Sequence, residues 1–293
     1  MNHFFKFLTS LVFVPVFLWG QDFPDPIKEE KVCFRYSFSK GDTLRYTLFA
    51  SDSIVLDGRP DLVKRRTETV QIVCDSVGTN GHFYLTQSLV GYSARETSKD
   101  TLAQMRFSTP WLNRRASFEI DSTGKRFSWN IDEPNREAIT PGGAFQEILI
   151  VPFKESCKRI NESWMVQSDD DLPENGSPAP FRRQATFFRA LDPLDTLGER
   201  ANRFQLALTG QGVAVVGTDG NKIRTTSILT TSGIMDISTQ KHVPIHYLSV
   251  SETKLKIESQ RGEKLEGKQF NRMRYILTHY RSADRKESSL KME

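Results

Sequence analysis

Val32-Cys33-Phe34-Arg35-Tyr36-Ser37-Phe38-Ser39-Lys40-Gly41-Asp42-Thr43-Leu44-Arg45-Tyr46-Thr47-Leu48 is the stretch that decides the fold. Val32, Phe34, Tyr36 and Phe38 alternate with Cys33, Arg35 and Ser37. That period of two sends the first set to one face of an extended chain and the second set to the other. Gly41-Asp42 supplies a turn, and Leu44, Tyr46 and Leu48 then alternate with Thr43, Arg45 and Thr47.

The same signature runs outward along the chain. Thr67–Val77 is rich in Thr, Val and Ile, Gly78-Thr79-Asn80-Gly81 is a turn, and His82–Tyr92 returns, so a hairpin is expected. Ala116–Ile120 leads into the turn Asp121-Ser122-Thr123-Gly124-Lys125, and Phe127 and Trp129 continue beyond it. Later strands are expected at Ser163–Ser168, Phe181–Leu191, Arg203–Val216, Ile223–Asp236, His242–Glu258 and Phe270–Tyr280. Gly210-Gln211-Gly212 reads as hairpin-turn or bulge glycines, because a second apolar β-run follows rather than the helix a dinucleotide loop needs. One helix is expected over Ala144–Val151. Phe145, Ile148, Leu149 and Val151 fall on one side of it, Gly142-Gly143 precede it and Pro152 stops it. The fold class is therefore mainly β: a curved antiparallel sheet or half barrel with one short helix.

The N-terminus has the layout of a secretory signal peptide over 1–20. Lys6 precedes the apolar run Phe7–Trp19, and Gly20 is a small residue for cleavage. About 13 apolar residues fall short of the roughly 20 that a membrane-spanning helix needs. The segment 21–31, with Pro24 and Pro26, reads as a linker, 32–280 as one antiparallel β domain, and 281–293 as a disordered charged tail. Two halves, 32–155 and 156–280, share an order of features at an offset of roughly 115 to 120 residues. An internal duplication and the chance matches of any antiparallel protein both account for that order.

Net charge is +4, and acids and bases interleave, so no nucleic-acid footprint is expected. No second long apolar stretch follows, so no transmembrane segment is expected after signal cleavage. Of three cysteines, Cys33 and Cys74 lie in strand-like runs and could pair as neighbours, or all three are buried reduced thiols. His242 and His246 on one strand would sit about 13 Å apart, too far for one ion. Asp169-Asp170-Asp171 with Glu174 lacks the spacing of a calcium loop. Gly-x-Ser-x-Gly is absent. No catalytic, metal or cofactor residue is assigned, and the chain is not read as an enzyme.

Twenty phenylalanines are many for this length. They fill a closed core or line an apolar cavity. On the cavity reading, the lining candidates are Phe83, Phe118, Phe145, Leu149, Phe187 and Phe204.

Phe38–Lys125, with its Gly-Asp before a strand, its hairpin and its strand ending in Asp121-Ser122-Thr123-Gly124-Lys125, resembles exported β-rich proteins of Gram-negative bacteria. More loosely, the architecture is similar to the half-barrel fold of lipoprotein carriers. That resemblance implies a curved sheet wrapped around an apolar cavity for acyl chains, and it transfers no contact residue to a numbered position. The expected function is an extracytoplasmic binding module, periplasmic or secreted, for a lipid or other apolar small molecule. The alternative is a structural or protein-interaction component of the cell envelope that binds an envelope protein and has no small-molecule site.

Overall fold

A computed structural model describes residues 30–57, 61–98, 101–109, 111–131, 149–153, 157–171, 181–216, 223–259 and 261–283. The first half contributes β1 (Lys31–Cys33), β2 (Thr43–Leu56), β3 (Leu62–Val77), β4 (Phe83–Ser98), β5 (Thr101–Arg106), β6 (Arg115–Ile120) and β7 (Arg126–Ile131). The second contributes β8 (Cys157–Arg159), β9 (Ser163–Asp171), β10 (Phe181–Thr196), β11 (Glu199–Val216), β12 (Ile223–Ser238), β13 (Pro244–Ser259) and β14 (Lys264–Arg281).

Twelve of these strands form one antiparallel sheet in the order β7-β6-β4-β3-β2-β14-β13-β12-β11-β10-β9, with β5 added on β4. The sheet is curved and does not close, and among the described residues β7 and β9 are its edges. Each half is a meander, and β14 joins them by pairing with β13 on one side and β2 on the other. β1 and β8 form a separate antiparallel pair.

Alternation decides which face is buried. Leu44, Tyr46 and Leu48 on β2 and Val70, Ile72 and Cys74 on β3 point inward and are almost fully buried. The hollow of the sheet is filled by the chain itself. Val32, Phe34, Tyr36 and Phe38 are all buried, but only Lys31–Cys33 is paired as a strand. The rest crosses the end of the sheet, where the Tyr36 N–H donates to Ser122 and the Ser37 N–H donates to His242. Phe153 joins this plug, stacking on Phe34 and Tyr36 and meeting Phe204 edge-on. Inward residues of both halves, with Val32–Phe38 and Leu149–Phe153, make one continuous core.

Four sequence expectations change. The helix over Ala144–Val151 lies largely outside the described residues, and Leu149, Ile150 and Val151 are not helical. The Val151 N–H and C=O are instead both bonded to the Tyr36 hydroxyl. Among the described residues no helix occurs. Gly210 to Gly212 make no turn, because β11 runs straight through them. Gly210 sits opposite Gln184 on β10 and Leu229 on β12. His242 is a turn residue with φ 55°, and β13 begins at Pro244, so the two histidines do not share a strand. The disulfide joins Cys33 to Cys157, not to Cys74. Cys33 and Cys157 are register partners in the β1–β8 pair, whereas Cys74 points into the core. β5, finally, had no signal of its own: it pairs only with the end of β4. The linker up to Glu29 and the acidic loop from Leu172 lie outside the described residues, as does the tail from Asp284.

The repeat seen in the sequence has a hydrogen-bond counterpart. The Gly41 N–H donates to Cys74, the Cys74 N–H donates back to Asp42, and the Asp42 carboxylate accepts from the Ser39 N–H. The Asn161 N–H donates to Ala190, the Ala190 N–H donates back to Glu162, and the Glu162 carboxylate accepts from the Arg159 N–H. Gly41 and Asn161 both have positive φ, as do the later turn residues Gly81 and Gly198, and Gly124 and His242. Each second member follows its counterpart by about 120 residues. The two halves therefore share strand order and turn construction.

Gly124 tests how tightly the plug is held. Its φ is +79°, and an added Cβ would lie 2.5 Å from the Val151 carbonyl oxygen and 2.6 Å from the Tyr36 ring. Gly124→Ala is expected to cost about 2–4 kcal/mol, from left-handed strain plus overpacking. Gly81→Ala, at φ +78° with open space around it, carries only the strain of about 1 kcal/mol. Urea unfolding of the two variants checks this, and equal losses would contradict it.

Candidate functional site

The cavity candidates divide by place. Phe83, Phe118, Leu149 and Phe204 are buried in the filled core. Phe83 meets Phe38 edge-on at 5.3 Å, and Phe204 meets Phe34 at 5.3 Å. Phe187 is on the opposite face and 51% exposed, and Phe145 lies outside the described residues. None of the five described residues lines the open cleft found on the outer face of the sheet.

That cleft has a volume of about 580 Å³. It crosses β5, β4, β3, β2, β14 and β13, roughly 24 Å at about 4.8 Å per strand step. Its apolar lining includes Phe49, Met105 and Leu248. Phe49 and Met105 are about half exposed.

Strand register builds the lining as two rows. One row reads Arg272 (β14), Ser51 (β2), Arg65 (β3), Arg95 (β4) and Met105 (β5). The next reads Leu248 (β13), Arg274 (β14), Phe49 (β2), Thr67 (β3) and Ser93 (β4). All four arginines line the cleft and are exposed. None of the four makes an ion pair or side-chain hydrogen bond among the described residues. Arg65 and Arg95 are directly opposite one another, and like charges in that relation destabilise a sheet.

The same strands carry a different arrangement on the inner face. Arg66, next to Arg65, points inward and is buried between Asp52 and Glu68. Its Nε donates to Asp52 Oδ2 at 2.7 Å, and Nη1 donates to Glu68 Oε1. Burial raises the Glu68 carboxyl above its usual range, and the Arg66 charge offsets that only in part. Glu68 Oε2 is buried with no hydrogen-bond partner. Arg66 also lines the cleft, so a paired cation lies beside four that have no partner among the described residues.

Asp236, fully buried, takes both prongs of Arg203 at 2.7 and 2.9 Å and bonds His246 at 3.1 Å. Burial raises its carboxyl, but these two partners outweigh that and hold it below the usual range. The triad ties β11, β12 and β13 together. Among the described residues no group of His, Cys, Asp and Glu is arranged to hold a metal ion.

Sequence reasoning missed the arginines. Arg272-Met273-Arg274 and Lys64-Arg65-Arg66 look like ordinary interleaved charge. Only the register between strands far apart in sequence gathers them on one face.

No protein-family model matches the chain, and no curated protein matches it. Among solved structures, DynF from the dynemicin biosynthesis pathway of Micromonospora chersina is similar at 10% identity. It covers 84% of this chain and 85% of its own, with a TM-score of 0.24. The outer membrane channel DcaP of Acinetobacter baumannii is similar at 8% identity over 82% of this chain and 99% of its own, with a TM-score of 0.17. Likeness at these scores carries no argument about function.

Proposed function

We propose that the chain is an extracytoplasmic binding module for a lipid or other amphiphilic ligand, and that the ligand lies in the outer cleft rather than inside the sheet. One observation carries this: a 580 Å³ cleft with Phe49, Met105 and Leu248 in its lining, on a protein whose inner hollow is filled by its own aromatic plug. The volume is in the range of small-molecule sites, and a mixture of apolar walls and a few convergent polar groups is their usual lining. Export rests on the signal-peptide layout of residues 1–20.

The test is binding of a fluorescent acyl-chain probe, below its micelle concentration, to the mature protein and to Phe49→Asp. Phe49 is about half exposed and outside the core, so the substitution leaves the core packing in place, and binding is expected to weaken about tenfold, the loss of roughly 1.4 kcal/mol of apolar contact. Unchanged binding in the variant would move the ligand elsewhere, and no binding to either protein would remove the reading.

An envelope-interaction role has one observation in its favour. Met165 on the edge strand β9 and its register partner Phe187 on β10 are both exposed, an apolar pair beside an unpaired strand edge. Self-association that Phe187→Ser abolishes would favour that role.

A further inference from the structure

We infer that the ligand of the outer cleft carries a phosphate head, held by Arg65, Arg95, Arg272 and Arg274 beside the apolar wall. This rests on the reading of the cleft as an amphiphile site and names the class of amphiphile.

Five arginines line the cleft; Arg66 is paired with Asp52 and Glu68, and the other four have no acidic partner among the described residues. Arg65 and Arg95 face each other across adjacent strands, and Arg272 lies in the same row with only Ser51 between it and Arg65. Arg274 stands one row away, two positions along β14. The span from Arg272 to Arg95 is three strand steps, roughly 14 Å. Like charges directly opposite one another on neighbouring strands repel. Arg66, which also lines the cleft, shows the contrast, with Asp52 and Glu68 both bonded to it.

The head group follows from the count. A carboxylate has two oxygens and one charge, enough for one bidentate guanidinium. A phosphate monoester carries about −1.5 to −2 charges at neutral pH and three strong acceptor oxygens, enough to engage several guanidiniums at once. Ser51, Thr67 and Ser93 lie in the same two rows and offer hydroxyl donors. The apolar residues fix the rest of the ligand. Phe49 is between Arg274 and Thr67 in its row, and Met105 ends the arginine row. A free phosphate has no use for these walls, whereas a single acyl chain covers them. The occupant is therefore a phosphorylated single-chain amphiphile bound as a monomer.

The experiment is titration calorimetry on the mature protein with three probes below any micelle concentration. They are a monoacylglycerol phosphate, the neutral monoacylglycerol with the same chain, and inorganic phosphate. The phosphorylated amphiphile is expected to bind at least about tenfold more tightly than either other probe, with an affinity that falls as salt rises. The double variants Arg65→Gln/Arg95→Gln and Arg272→Gln/Arg274→Gln should each lose about tenfold for it while leaving the neutral probe unchanged. Both should melt at or above the parent temperature, since like-charge repulsion is relieved. Equal binding of the two amphiphiles, unaffected by the variants, overturns the phosphate head and leaves the amphiphile reading standing. Binding of inorganic phosphate as tight as that of the amphiphile overturns the acyl chain. Variants that melt well below the parent would make the arginines structural and overturn their assignment to a ligand. If neither amphiphile binds, the cleft reading itself falls.

Discussion

Arg66→Ala is expected to destabilise the protein by about 3–5 kcal/mol, because it leaves Asp52 and Glu68 buried without their shared cation. Both carboxylates are completely buried in the parent, so each would lose its counter-charge in a poorly solvated setting. The loss should depend on pH in a defined sense. Glu68 is already raised by burial, and removing Arg66 takes away the charge that partly offsets it. A carboxyl raised in the folded state contributes stability that is complete below its unfolded value, here 4.5, and is lost as pH rises through the folded value. The gap between variant and parent should thus be widest near neutrality and narrow as pH falls toward 4.5. Urea unfolding at several pH values measures it. A deficit that stays the same across that range would refute the electrostatic account. Asp52→Leu/Arg66→Met/Glu68→Leu, which removes every charge together, should lie far closer to the parent than Arg66→Ala does.

Breaking the Cys33–Cys157 bond is expected to cost about 2–5 kcal/mol and to lower the melting temperature by roughly 5–15 °C. The bond closes a separation of 124 residues, which in the unfolded chain restricts many conformations. It also ties β1 to β8, the first strands of the two halves. Beneath that pair, Val32 and Lys158 are buried, and the Lys158 ammonium lies over the Trp164 ring at 5.6 Å. Reductant should lower the stability of the native protein but not that of Cys33→Ser/Cys157→Ser. Thiol counting gives an independent check. Cys74 is buried, and its thiol is pushed up to about 11, chiefly by that burial, so the native protein should show no fast-reacting thiol. Denatured without reductant it should show one. A count of three there would mean the bond does not form.

Much of the architecture is written in local pattern. Val32, Phe34, Tyr36 and Phe38 are all buried as their alternation requires, although this segment crosses the sheet end instead of extending a strand. The Gly78–Gly81 turn closes the β3–β4 hairpin where turn chemistry places it. Gly210 to Gly212 look like a turn in the sequence because glycine marks both turns and close approach. Here an added Cβ would lie 3.1 Å from the Arg183 carbonyl oxygen, and the strand continues. The Leu197-Gly198 turn carries a weaker signal than Gly78–Gly81, and β11 begins at Glu199, ahead of the expected Arg203.

The sequence by itself determined a mainly β chain, most of its strands, and the order of features shared by its two halves. Those are consequences of side-chain period and turn residues, which act over a few positions. Tertiary structure alone decided the rest. It chose Cys157 over Cys74 as the partner of Cys33, because pairing depends on which strands become neighbours across 124 residues. It filled the hollow with Phe34, Tyr36 and Phe153, and so put Phe83, Phe118, Leu149 and Phe204 in a solid core. It also aligned Arg272, Arg65 and Arg95 across β14, β2, β3 and β4. Alternation tells each residue which face it takes, whereas register tells it whom it meets, and register belongs to the whole sheet.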